Sequence, residues 1–300
     1  MSRWIVMIVL SAVLVQFAGC GGGGKKEVSL DQQVKKALGE PDPGSRARKL
    51  AGLGEKQLKA GDLLGGEGTL NAAAEAAGQV EAPDAKASAF IVVGSAMGRA
   101  GKLTESKKAF REASKALEGV ASAGPKAIAF AELGMATAQY LKNPDAAAEH
   151  LRNAEQAAET VELAITRTIA YTKIMSAYNK AERPSDAEAT LTKAKEFIQG
   201  LMEPGQQVEC LAELGDALAK AKNADESKAR FDEAEKIAED IKDDAVRGYA
   251  FLKLGTKLKQ AGNPTDGRKA LSKADDAAQK IKDSSTKNQL VSEIQAAIKP

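Results

Sequence analysis

From Ser45 onward the chain repeats itself, and no other feature restricts its fold so strongly. Six turn-like segments mark the period: Ala60-Gly61-Asp62, Ala100-Gly101-Lys102, Leu141-Lys142-Asn143, Ala181-Glu182-Arg183, Ala221-Lys222-Asn223 and Ala261-Gly262-Asn263. Their first residues lie 40, 41, 40, 40 and 40 apart. Thirteen residues after each stands an alanine: Ala73, Ala113, Ala154, Ala194, Ala234 and Ala274. Ten residues after each stands a large apolar side chain: Leu70, Phe110, Leu151, Leu191, Phe231 and Leu271. Twenty after come Val80, Val120, Val161, Leu201, Ile241 and Ile281. These offsets share one helical face. The unvarying alanine predicts a place where two helix backbones approach too closely for anything larger.

The punctuation agrees with a hairpin of two helices per repeat. Pro144, Pro184 and Pro264 follow the turns, where proline suits the first helical position. Asp145, Asp186 and Asp225 enter the first turn, favourable to the helix dipole. Asn223 and Glu226 have capping-box spacing. Gly61, Gly101 and Gly262 supply a left-handed residue to end the preceding helix. Between hairpins, Pro83, Gly124-Pro125, Pro204-Gly205 and Asp283-Ser284-Ser285 provide the other breaks. Composition points the same way: the 43% hydrophobic fraction is dominated by alanine and only 4% of residues are aromatic, which favours close helix-on-helix packing over sheets.

Further columns align. Leu-Gly occurs as Leu53-Gly54, Leu133-Gly134, Leu214-Gly215 and Leu254-Gly255, with Val93-Gly94 equivalent. A large residue leads each first helix at Leu50, Phe90, Phe130, Tyr171, Leu211 and Phe251. A small one opens each second helix at Gly66, Ser106, Ala147, Ala187, Ser227 and Gly267. In these columns residues 45–300 resemble the tetratricopeptide family. Two features depart from it: the closing proline is replaced by Glu118, Glu159, Gln199, Glu239 and Gln279, and the family's period is nearer about 34. Both follow if the second helices run longer. The resemblance implies an all-α fold, a right-handed solenoid of about six antiparallel hairpins. Residues 286–298 continue the first-helix register through Leu290, Val291, Ile294 and Ile298, which predicts a C-terminal capping helix over the open end.

The N-terminus is of another kind. Arg3 precedes an apolar run from Trp4 to Val15, and the segment closes on Phe17-Ala18-Gly19-Cys20. The run is short for a membrane span, which needs about 20 apolar residues; a basic start, apolar core and small residues read as an export signal. The ending resembles the bacterial lipobox, with Phe17 in place of the usual Leu or Val. That resemblance implies cleavage before Cys20 and diacylation of its thiol. The expected organisation is a signal peptide at 1–19, a lipidated cysteine and tether at 20–44, and the solenoid at 45–300. Gly21–Gly24, Lys25-Lys26 and Glu40-Pro41-Asp42-Pro43-Gly44 suit a tether. Within it Val28, Leu30, Val34 and Leu38 have the spacing of one short amphipathic helix. Two acyl chains anchor stably where one does not, so the protein is expected on a cell membrane or outer membrane of a bacterial envelope.

Catalytic chemistry is hard to find. No phosphate-binding loop or dinucleotide fingerprint occurs, so no cofactor is expected. A net charge of +2 lacks the footprint of a nucleic-acid binder. A single histidine, His150, rules out a multi-histidine metal site and reads as a surface or rim residue. Cys210 falls in a first-helix column otherwise filled by Ala89, Ala129, Ala170 and Ala250, as suits a buried small hydrophobe. The reading is therefore not an enzyme but a scaffold for a protein or peptide partner. An accessory or catalytic domain of a cell-envelope enzyme, or a spacer without a ligand, is the alternative. Just before each turn stand Lys59, Arg99, Tyr140, Lys180, Lys220 and Gln260. In the resembling family this slot borders the concave groove, so Lys59, Arg99, Lys180 and Lys220 are the candidate partner-binding residues. They would edge a floor of Glu55, Ser95, Ser176, Asp216 and Thr256. The same cations also suit helix C-termini, worth ~0.3–1 kcal/mol each through the dipole.

Overall fold

The computed structural model describes residues 28–299; Cys20, the expected lipidation point, lies outside them. Among those residues are fourteen α-helices, one π-helical turn and no strand. A short helix, α1 (Leu30–Leu38), comes first. Six hairpins follow: α2 (Pro43–Lys59) with α3 (Leu63–Gly78), α4 (Pro83–Arg99) with α5 (Leu103–Glu118), and α6 (Ala123–Ala136) with α7 (Pro144–Glu159). Then come α8 (Ala164–Lys180) with α9 (Pro184–Gln199), α10 (Pro204–Lys220) with α11 (Ala224–Asp240), and α12 (Asp244–Gln260) with α13 (Pro264–Lys280). The last helix is α14 (Ser284–Ile298). Each helix packs on its hairpin partner and on its neighbours along the chain, giving an all-α solenoid.

The columns explain the packing. All six repeat alanines are at most 1% exposed. At the Leu-Gly sites the second helix comes so close that a side chain would collide. A Cβ on Gly94 would stand 2.6 Å from the Phe110 ring, on Gly134 2.6 Å from Leu151 Cδ2, and on Gly255 2.8 Å from the Gly267 carbonyl. Ser106 and Ser227 donate to the carbonyls of Gly94 and Gly215 at 2.8 Å, fixing the approach with a buried hydrogen bond. Hairpin 4 breaks this column: Ile174-Met175 stands in the Leu-Gly register, and α8 and α9 are the least closely packed pair. First helices are 17 residues in five hairpins and second helices 16 or 17. The 40-residue period is thus shared by two helices of nearly equal length.

The short helix expected within 20–44 is present: Ser29 caps α1, and α1 docks on α2 with Ala37 buried and Leu30 and Val34 packed against the core. Val28 and Leu38 remain exposed. Gly124-Pro125, like Pro83 and Pro204-Gly205, stands in the first turn of the helix that follows the break between hairpins, with Gly124 buried. Gly61, Gly101 and Gly262 take the left-handed conformation expected of them, and Lys142, Glu182 and Lys222 occupy the same turn position in the other hairpins at φ 48°, 57° and 62°.

Hairpin 3 contains the extra residue of the 41-residue spacing. Helix α6 does not end where its counterparts do but widens into the π turn Thr137–Leu141. One inserted residue inside a helix is accommodated this way, by a single turn with a longer hydrogen-bond step. At the far end α14 covers the last hairpin, burying Leu290 and Ile294, while Ile298 is exposed. Lys259 donates to the Ala297 carbonyl at 2.5 Å, tying the cap to α12.

Candidate functional site

Successive first helices pack side by side from α2 through α14, whereas successive second helices make no comparable contact. The stack is tighter on the first-helix side, so that side is the inner face. The expected floor and edge residues all lie on these helices, but their neighbours modify what they offer.

Lys59 and Arg99 converge on one carboxylate: Lys59 Nζ lies 2.7 Å from Glu55 Oε1, and Arg99 Nε donates to Glu55 Oε2 at 2.9 Å. Arg99 also donates to the Tyr140 hydroxyl at 2.9 Å. Burial pushes the Glu55 carboxyl upward, yet the hydrogen bonds and charges of Lys59 and Arg99 outweigh it and hold Glu55 below its ordinary range. Lys220 pairs with Asp216 at 2.7 Å, and Lys257 approaches the same oxygen at 3.7 Å. Asp216, expected as floor, is buried, and its Oδ1 has no hydrogen-bond partner. Three of the four cations are therefore already engaged with carboxylates. Lys180 alone stands in no ion pair among the described residues and is exposed.

Lys180 and Lys220 both line one cavity. It lies between hairpins 4 and 5, about 510 Å³ in volume, with Met175, Leu191 and Leu218 among its walls. Its position follows from the broken column: Met175, where other hairpins have glycine, holds α8 off α9. A groove of mixed lining, with Asn179, Glu188 and Asn223 beside its apolar residues and an unpaired ammonium among them, can seat a side chain and a terminal or side-chain carboxylate together. Ser176 also lines this cavity, whereas Thr256 spends its hydroxyl on the Leu252 carbonyl at 2.8 Å.

Cross-braces on the inner face went unread in the sequence. Lys173 reaches Glu132 at 3.3 Å, Lys253 reaches Glu209 at 3.4 Å, and Lys257 reaches Glu213 at 2.5 Å. With Arg99 and Glu55, three of these four pairs are 44 residues apart, one repeat plus one helical turn. Opposite charges at that separation were the available signal.

The other residues singled out behave simply. Cys210 is fully buried and unpaired, and burial pushes its thiol up to about 11, which suits a packing residue and not a nucleophile. His150 is half-buried, and burial lowers its pKa, so the imidazole is neutral near pH 7. No group of three or more His, Cys, Asp or Glu that would hold a metal ion occurs among the described residues. No helix among them is long and apolar enough to cross a membrane.

No protein-family model and no curated protein matches the chain. Among solved structures, Ton1535 from Thermococcus onnurineus NA1 is 14% identical, over 87% of this chain and 94% of that one, with a TM-score of 0.40. BtubC (BKLC) from P. vanneervenii is 18% identical, over 70% of this chain and 91% of that one, with a TM-score of 0.38. At these values both are loose likenesses.

Proposed function

We propose that the protein is a lipid-anchored bacterial envelope lipoprotein whose tetratricopeptide-like hairpins hold a partner protein or peptide on the inner face. The observation that carries the reading is the unbroken side-by-side packing of first helices from α2 to α14, which makes one extended surface of the kind helical solenoids use. The cavity beside Met175, with the unpaired Lys180 in its lining, is where a partner's carboxylate is held most strongly. Cys20 carries the lipid and begins the mature chain; its support is the arrangement of residues 3–20 alone.

Site-specific photo-crosslinking tests the surface. A photoreactive side chain at Ser176 should give a discrete adduct in native membranes, and changing Arg99, Lys180 and Lys220 together to Gln should abolish it. Retention of the adduct in that triple variant at low salt contradicts the role of the basic edge. The anchor is tested separately: membrane-extracted protein should lack residues 1–19 and carry acyl mass, and Cys20→Ala should be released or left unprocessed. Unmodified Cys20 on a soluble native protein contradicts it.

A further inference from the structure

The outer face is braced at some junctions and not at others. Lys193 of α9 clamps Glu155 and Glu159 of α7 at 2.8 and 3.1 Å. Eighty residues on, Lys273 of α13 clamps Glu235 and Glu239 of α11 at 2.7 and 2.6 Å. In the equivalent register between α5 and α7 stand Ser114, Glu118 and Asn153, and no clamp forms. That unbraced junction is also where the π turn inserts.

A groove of about 540 Å³ opens there. Phe110 and Leu141 form part of its apolar lining, and Leu103 at its edge is 52% exposed. Along α5, Lys107, Arg111 and Lys115 stand at i, i+4 and i+8, so they form one row beside the groove. All three are exposed, and none is in an ion pair among the described residues. Glu118 and Glu149 share the lining without pairing to them. On the π-turn side, Thr137 is 1% exposed and its hydroxyl has no hydrogen-bond partner; His150 Nδ1 is likewise buried and unpartnered.

We propose that this outer groove between α5 and α7 is a second docking site, and that its occupant is an acidic amphipathic helix of a partner protein. An apolar stripe would lie on the exposed Leu103 and the half-buried Leu141, above the buried Phe110. Carboxylates at helical i, i+4 and i+8 spacing would meet Lys107, Arg111 and Lys115, the helix-in-groove mode with charge fixing register. The site is independent of the inner face and of the lipid anchor.

The test uses the full chain in mild detergent and a fluorescent 15-residue Leu/Glu amphipathic helix, read by anisotropy, against a scrambled peptide of identical composition. The amphipathic probe should bind and the scrambled one should not. Changing Lys107, Arg111 and Lys115 together to Gln should weaken binding about tenfold or more, as should Leu103→Ser, with circular dichroism unchanged. The inner-face change of Lys180 and Lys220 to Gln should leave it unaltered, which separates this site from the inner-face reading. Equal binding of the scrambled peptide, or unchanged affinity in the α5 triple variant, overturns the proposal.

Discussion

The α7–α9 junction and the α5–α7 junction share the same interior and have different exteriors. Both rest on the alanine column, with Ala113, Ala154 and Ala194 at most 1% exposed. Outside, one is locked by Lys193 across two carboxylates, while the other leaves three cations unpaired beside a groove. The interior must recur every 40 residues because each hairpin packs on the next. The exterior carries no such constraint, and its clamp recurs at 80. Surface identity can change from junction to junction without disturbing the stack, and binding is expected where the exterior pattern lapses.

The largest expected effect attacks the shared half of that comparison. Ala113→Leu and Ala194→Leu should each lower unfolding free energy by ~1–3 kcal/mol through overpacking, read by chemical denaturation. If one junction tolerated the leucine and the other did not, the claim of a common interior would fail. A smaller effect lies at the turns. Gly101→Ala should cost about 1 kcal/mol, since φ there is +75°. Lys222→Gly should gain about 0.5 kcal/mol, the relief of a left-handed lysine being partly offset by a more flexible unfolded chain. Glycine and lysine turns of equal tolerance would show the strain to be absorbed elsewhere.

The clamp itself is partly exposed and should be modest. A double-mutant cycle on Lys193 and Glu155 should give a coupling of ~0.2–1 kcal/mol. The same cycle on Arg111 and Glu149, across the unbraced junction, should give no coupling outside error. The smallest effect concerns pH. Glu55 is held below its ordinary pKa of 4.5, so its contribution is fully present above that value and is lost as pH falls through the folded one. Glu55→Gln should therefore cost a few tenths of a kcal/mol near neutrality and flatten the acid limb of the stability curve below about pH 4.5. An unchanged acid limb would remove Glu55 from the inner-face network.

What could be read from the chain, and what could not, divides along the same line. The Ala and Leu-Gly columns were legible because close backbone approach admits only small residues, so geometry is written as identity. The 41-residue step between Ala100 and Leu141 was visible as a number, but its meaning was not: an extra residue fits a loop as well as a helix, and only packing of Tyr140 and Leu141 decides for the π turn. Helix α1 was anticipated only as a spacing, because nine residues are too few to be stable without the α2 surface that holds them. The basic column was legible as four residues, yet not that Glu55 and Asp216 engage three of them. Long flexible side chains choose partners after the backbones are placed. Met175 was passed over for a plain reason: one irregular residue in a strong column looks like noise until the helices around it are seen to separate.

The central claim is that one hairpin interior supports junctions of unequal closure. Native-state amide hydrogen exchange on the full chain measures it directly. Amides of residues 137–142, in and just after the π turn at the unbraced junction, should exchange about tenfold faster than those of residues 178–182, the equivalent stretch of hairpin 4. Saturating the chain with the acidic amphipathic probe should slow the first set and leave the second unchanged. Equal protection of the two stretches, with or without probe, would contradict the account.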